Sequence, residues 1–345
     1  MTVGRRRPPP LPTVRDILRI YNINATPKLS QNFLLDPRQL DRIAGLASPQ
    51  GKCLVEVGPG PGGITRSLLG QGAAKCVVIE KDSRFLPALQ LLNDVSCGRL
   101  DIHIGDVMTF NMVNLFPDRV RSDWDGPHPN VEVIGNLPFN VSTPLLIRWL
   151  RAISLRDSVW RYGRVPLTLT FQLEVAQRMV APPGNPIRSR LSVVCQNWTR
   201  VNHKFTIPGG AFTPKPEVDV AVVTMYPLIE PYIKQSFPLV NKVVTNIFHG
   251  KRKKLYNTLP SLFPKPLSLL SDVIFEETGL SPMKRAIDLD MNDWSRLCDS
   301  YARIIQVNPS LAKYKSRVED PHVEVFDHYE AEEHNHSPAL NENVK

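Results

Sequence analysis

Residues 52–65, KCLVEVGPGPGGIT, constrain the fold of this chain more than any other stretch. Residues 52–57 are apolar enough to read as a buried strand. They run without a spacer into glycines and prolines, and then into a helical stretch over 62–69. A strand with no polar alternation is covered on both faces, as parallel strands of α/β sheets are. Glycines at its end let the backbone approach a ligand closely, at the carboxyl edge where open α/β sheets bind their ligands.

The alternation continues. Strands are expected over 76–80, 100–104, 131–135 and 167–171, with helices over 83–93, 144–153, 173–180 and 189–198. Two closing strands, 203–207 and 218–225, flank the Gly- and Pro-rich stretch 208–216 and suggest an antiparallel hairpin on the same sheet. The expected class is α/β, a mostly parallel sheet covered by helices. Beyond residue 231 the strand signal fades. Helical stretches over 239–248, 267–277 and 294–305 predict a small C-terminal helical domain. Trp160, Trp198 and Trp294 fall in apolar patterns and are assigned to the core.

Charge narrows the partners. The chain carries 42 Lys and Arg against 33 Asp and Glu, a net +9, and eight acids with one lysine follow from Glu319 to the end. The first 318 residues therefore hold +16, a balance that points to a polyanion, nucleic acid first. Arg5, Arg6, Arg7 and Arg15 all precede the first acid, Asp16, which fits an organellar targeting segment, although prolines at 8–10 and 12 interrupt an amphipathic helix. Five widely spaced cysteines without a CxxC pair argue against a disulfide scaffold or a zinc site, so no metal is expected. No apolar run approaches the ~18–20 residues of a membrane-spanning helix.

The glycine turn by itself fits two cofactors. Gly58, Gly60 and Gly63 satisfy GxGxxG, and Glu80, ending the second strand, can bond the ribose hydroxyls of NAD or of S-adenosylmethionine. Asp106, after the third strand, is placed to accept from an adenine amino group. Together Glu56, Glu80 and Asp106 suit the ammonium, ribose and adenine of S-adenosylmethionine. Gly135-Asn136-Leu137-Pro138-Phe139 follows the fourth strand. An exocyclic amine is a poor nucleophile because its lone pair is delocalised into the ring. The Asn136 side-chain oxygen and the Leu137 carbonyl can each accept one amine N–H and draw the nitrogen toward tetrahedral geometry. Pro138 removes a competing donor and fixes the backbone, and Phe139 offers a ring face to a flipped base. A dehydrogenase has no use for this arrangement, which sets NAD aside.

These segments resemble the ribosomal RNA adenine dimethyltransferase family. Residues 54–65 look like its glycine-rich signature, Gln31-Asn32-Phe33-Leu34 like its QNFL element and residues 136–139 like its catalytic NLPY/F motif. Residues 212–219, FTPKPEVD, look like the segment before its last strand, with order and spacing agreeing over roughly 28–305. The resemblance implies a Rossmann-like S-adenosylmethionine-dependent methyltransferase sheet with a small C-terminal helical domain. It implies cofactor contacts from Gln31, Asn32, Leu34, Gly58, Gly60, Glu80, Lys81, Asp106, Val107 and Asn136, and an adenine held between Phe139 and Phe212. The implied activity is N6,N6-dimethylation of two adjacent adenosines in the 3′-terminal hairpin of small-subunit rRNA, by a monomer in the mitochondrial matrix that supports ribosome assembly. The alternative is a non-enzymatic factor on mitochondrial DNA or the transcription machinery. Arg188, Arg190, Lys251, Arg252, Lys253 and Lys254 are candidates for RNA phosphate contacts. The expected organisation is a basic arm with targeting character over 1–27, a catalytic domain over 28–228, a helical RNA-contacting domain over 229–305 and an acidic, disordered tail over 306–345.

Overall fold

The computed structural model describes residues 12–23, 25 and 31–314. Residues 1–11 and 315–345, on which most of the targeting and disorder readings fall, lie outside the described residues, but the start of the expected disordered tail is folded: Leu311 is buried and its carbonyl accepts from Lys242 Nζ at 3.0 Å. The chain divides into two compact units, Met1–Val180 with Trp198–Pro231, and Ala181–Asn197 with Tyr232–Lys345.

The first unit is built in chain order from α1 (Val14–Ile20), β1 (Phe33–Leu34), α2 (Pro37–Leu46), β2 (Cys53–Val57), α3 (Gly63–Gly70), β3 (Lys75–Glu80), α4 (Leu86–Val95), β4 (Leu100–Ile104), β5 (Val131–Gly135), α5 (Phe139–Leu155), β6 (Leu167–Gln172) and α6 (Leu173–Val180). After α7 (Arg190–Trp198), which apart from Trp198 belongs to the second unit, it resumes with β7 (Thr199–Ile207), β8 (Phe212–Thr213) and β9 (Val220–Pro227). Seven strands form one sheet in the order β4-β3-β2-β5-β6-β9-β7. The first five are parallel, and β9 runs antiparallel to both β6 and β7, as the closing pair of strands predicts. Every residue of β2 and β5 is buried, so these central strands read as unbroken apolar runs with one carboxylate each. On one face Leu54, Cys76, Val78, Ile134 and Val222 enter a cluster with Ile43, Leu68 and Leu89 from α2, α3 and α4.

Two elements differ from the sequence reading. Part of the expected basic arm is folded: Thr13 and Asp16 form a capping box on α1, and its Val14 and Ile17 are buried. The helix expected from Pro144 is α5, which starts at Phe139 and carries Pro144 inside it. Pro144 looks like a first-turn proline, but the helix begins immediately after Pro138.

The second unit holds α7 down to Asn197, α8 (Phe237–His249), α9 (Leu255–Thr258), α10 (Leu270–Thr278) and α11 (Met291–Val307). Phe248 stacks on Trp294 and Phe263 meets Tyr301 edge-on, each with ring centroids 5.6 Å apart. Residues 181–197, expected inside a continuous catalytic domain, pack here instead. The Asn197 amide pairs both ways with Ile233, and the Gly184 N–H donates to the Ile287 carbonyl. Arg188 braces this segment internally, and its assignment as an RNA contact is corrected: it is 0% exposed. Its guanidinium donates to the Ala181 carbonyl at 2.6 Å and to Gln196 Oε1 at 3.1 Å, beyond reach of a phosphate. Burial lowers its pKa to about 10.

Arg188→Ala should therefore cost stability rather than RNA affinity. The Ala181 carbonyl and Gln196 Oε1 each lose one charged donor and a void remains, at about 2–4 kcal/mol in denaturant unfolding. The salt dependence of RNA binding by the folded variant should match wild type.

Candidate active site

Strand order reverses between β2 and β5, since the chain leaves β2 toward β3 and β4 on one side and continues from β5 to β6 on the other. At such a switch point the loops after the two strands diverge and leave a crevice. The cavity here is lined by residues 31–34, Leu40, Glu56, residues 58–61, Gly63, Ile64, Glu80, Phe85, residues 136–139 and Phe212. All four sequence motifs thus meet at one place.

The glycine turn takes its shape from left-handed backbone at Gly58, Gly60 and Gly62, with φ of +65°, +53° and +80°. The third constrained glycine is Gly62 and not Gly63: a Cβ on Gly62 would lie 2.3 Å from Leu92 Cδ1, whereas Gly63 already belongs to α3. The spacing is therefore GxGxG, not that of a dinucleotide fingerprint. Glu80 closes the turn onto β3, its Oε2 accepting the Gly60 N–H at 2.9 Å and its Oε1 the Asp82 N–H at 2.8 Å. Each oxygen keeps a second lone pair, which suits a pair of ribose hydroxyls. Burial raises its pKa, with the Asp82 and Gly60 bonds opposing the rise.

Glu56 is 1% exposed, and its Oε2 accepts the Thr65 hydroxyl at 2.6 Å. Burial pushes its carboxyl up to about 8, the Thr65 bond opposing and the Glu80 charge adding to the rise. A cation brought beside it, such as a methionine ammonium, would return it to the ionised form.

Gln31 and Asn32, directly before β1, line this crevice. Gln31 Nε2 donates to Asp82 Oδ2 at 2.9 Å, and Asp82 is held below the usual carboxylate range chiefly by its bonds from Arg84. Phe33 packs edge-on to Phe85 at 5.6 Å. The two-residue β1 pairs antiparallel with β8, Leu34 opposite Phe212. Beside it stands Asn136, three residues before α5. Its Nδ2 faces the Asn32 carbonyl at 3.5 Å, and its Oδ1 accepts the Thr170 hydroxyl at 2.7 Å. A carbonyl can only accept, so the amide nitrogen faces Asn32 and the oxygen is left with one free lone pair. No backbone hydrogen bond found among the described residues ends on the Leu137 carbonyl. Two acceptors are thus available beside Phe139 and Phe212.

Three expected cofactor residues stand apart: Lys81, Asp106 and Val107 do not line the cavity. Lys81 Nζ pairs with Asp106 Oδ2 at 2.7 Å, and Asp106 Oδ1 accepts the Met108 N–H at 2.9 Å. Burial raises the Asp106 pKa, but these bonds outweigh it and leave the group below its ordinary value. Of the expected RNA contacts, Arg190 is half-buried with Nη1 on Thr245 Oγ1 at 3.3 Å, Lys251, Arg252 and Lys253 are exposed, and Lys254 is half-buried. Sequence reasoning missed Thr170, Thr65 and Asp82. Hydroxyls in an otherwise apolar strand, LTLTF over 167–171, are the signal that would have found Thr170.

A parallel sheet with a positive-φ glycine turn, a ribose-capable carboxylate at the end of β3 and an amide acceptor after β5 defines the class of S-adenosylmethionine-dependent methyltransferases. The family model for ribosomal RNA adenine dimethylase matches residues 22–301, and the chain belongs to that family. Over 315 residues it is 48% identical to the dimethyladenosine transferase 1, mitochondrial, of Homo sapiens, an alignment covering 91% of each chain. The protein of the same name from Caenorhabditis elegans is 40% identical over 302 residues, covering 86% of this chain and 82% of that one. A dimethyladenosine transferase from Plasmodium falciparum of known structure shares the fold with a TM-score of 0.62 at 24% identity, over 78% of this chain and 96% of that one. Enzyme class and cofactor follow from the family: an rRNA adenine dimethyltransferase using S-adenosylmethionine.

Two outcomes follow from the geometry. Glu56 is protonated when buried and ionised when unfolded, so the cofactor-free protein should lose stability as pH rises from about 4.5 to about 8, by up to about 4 kcal/mol. Glu56→Gln should remove that slope, read as urea midpoints at pH 5 and pH 8. Thr170→Val, close to isosteric, should leave the fold intact and free the Asn136 amide to turn. We expect kcat to fall about tenfold or more with KM for the cofactor little changed, and Thr170→Ser to restore it.

Proposed function

We propose that this enzyme dimethylates N6 of two adjacent adenosines in the 3′-terminal hairpin of the small-subunit rRNA, in the mitochondrial matrix, as a step in assembling the small ribosomal subunit. The observation that carries the reading is the Asn136 amide, fixed in one orientation between Asn32 and Thr170 at the cofactor cavity. Relatives named mitochondrial and the arginine-rich leader support the location.

Bound S-adenosylmethionine supplies an electrophilic sulfonium methyl. Gly58, Gly60 and Glu80 hold its nucleoside half, Glu56 faces its ammonium, and Gln31, Asn32 and Leu34 close over it. The target adenine leaves its stack and is held by Phe139 and Phe212. Asn136 Oδ1 and the Leu137 carbonyl each accept one N6–H, which turns the nitrogen lone pair out of conjugation toward the methyl. As the N–C bond forms, the methyl–sulfur bond breaks with its electron pair left on sulfur as a neutral thioether, and the proton released from N6 goes to water, so no strong general base is required. Arg190 and the exposed Lys251, Arg252 and Lys253, with Lys254, contact phosphates and position the hairpin, while stacking and pocket shape select the unpaired adenosines. The alternative of a non-enzymatic factor on DNA rests on net charge, which serves an RNA substrate equally.

With labelled S-adenosylmethionine and the hairpin, wild type should form dimethyladenosine, and Asn136→Ala should lose about 10²–10³ in kcat. Tight binding of hairpin and cofactor by wild type without methyl transfer would overturn the catalytic reading.

A further inference from the structure

The tetrabasic turn has an unassigned neighbour. After α8 the chain makes a turn closed by the Lys251 N–H on the Phe248 carbonyl at 3.1 Å and the Lys253 N–H on the Gly250 carbonyl at 2.7 Å. Lys254 then forms an antiparallel bridge with Arg285, the Leu255 N–H donates to the Lys284 carbonyl at 2.8 Å, and the Tyr256 N–H donates to the Pro282 carbonyl at 3.2 Å. These bonds lay residues 282–285 alongside residues 254–256. Two large side chains stand in the solvent there, Tyr256 at 49% and Met283 at 57% exposure.

The charges around them are of two kinds. Lys284 is committed to Asp293 at 2.8 Å and Arg285 to Asp288 at 3.0 Å. Lys251, Arg252 and Lys253 are exposed, and among the described residues no carboxylate lies within ion-pair distance of them. An aromatic ring and a polarisable thioether thus sit on a hydrogen-bonded frame beside uncommitted cations. Single-stranded nucleic acid uses this combination: phosphates meet the cations while a base lies on the ring, whatever its sequence.

We propose that Tyr256, flanked by Met283, is a stacking platform for an unpaired nucleotide of the RNA next to the hairpin, whose phosphates Lys251, Arg252 and Lys253 hold. The proposal rests on the rRNA reading above and adds a subsite to it. Its recognition element is single-stranded, so it acts on RNA that extends beyond the duplex and not on the helix itself.

The test compares two RNAs, a blunt hairpin and the same hairpin with a single-stranded extension of a few nucleotides. Each is titrated with wild type, Tyr256→Ala and Tyr256→Phe at fixed salt. Wild type should prefer the extended RNA, and Tyr256→Ala should reduce the extended-to-blunt affinity ratio about tenfold, the effect of removing one stacked base. Tyr256→Phe, which keeps the ring, should retain the ratio. An unchanged ratio in Tyr256→Ala, including an equal loss on both RNAs, overturns the platform. Methylation of the blunt hairpin by wild type, measured in parallel, tests the underlying rRNA reading separately, so the two failures are distinguishable.

Discussion

The pairing of β2 with β5 sets the rest of the first unit. Val57 lies opposite Gly135, and a Cβ on Gly135 would stand 2.5 Å from Val57 Cγ2 and 2.8 Å from the Val57 carbonyl oxygen. Only glycine lets the two strand ends approach in this way, and the approach sets the glycine turn after β2 beside Asn136 after β5. The next strand carries the same register outward. Gly135 pairs with Leu169, so Thr170 arrives level with Asn136, where its hydroxyl meets the amide oxygen. The acceptor geometry proposed for methyl transfer is therefore a consequence of strand register, Asn136 following directly on the last residue of β5.

Electrostatics follow from the same closeness. Glu56 and Glu80 both sit at the carboxyl ends of buried strands, and burial disfavours charge on each. Glu80 is compensated by two backbone N–H groups that belong to the turn and the strand end, so holding its carboxylate also holds the turn. Glu56 accepts from Thr65, too little to offset its burial, and is protonated at neutral pH. The two carboxyls are thus poised differently: one is already organised to accept, and the other waits for a cation to compensate it. A cofactor carrying both hydroxyls and an ammonium suits that asymmetry better than a dinucleotide, whose pyrophosphate would meet Glu56 as an anion.

Much of this was legible in the sequence, and for a physical reason. Strands buried on both faces must be largely apolar, so β2, β3 and β5 announce themselves, and the turns after β2 and β5 carry Gly or Pro. What the sequence hides is which partner an amphipathic element chooses. By its sequence α7 could serve either unit, and the bonds between Asn197 and Ile233 and from Arg190 to Thr245 tie it to the second. A lone basic residue gives no sign whether its guanidinium meets a phosphate or a buried carbonyl, which is why Arg188 was misread. Thr170 was missed because its role depends on the register of a neighbouring strand. Register is a pairwise property that a single sequence does not display.

The two-residue ladder between β1 and β8 connects the halves of the cavity. Leu34 stands on the expected cofactor side, and its partner across the ladder, Phe212, on the expected adenine side. A pair of residues offers few hydrogen bonds, each worth about 1 kcal/mol net, so this ladder is held far more weakly than the seven-stranded sheet. Asn136 is tied to β6 through Thr170, whereas the wall that carries Leu34 is tied by this ladder, the contact between Phe33 and Phe85, the bonds of Gln31 and Asn32 and the burial of Phe33 and Leu34 in the core cluster.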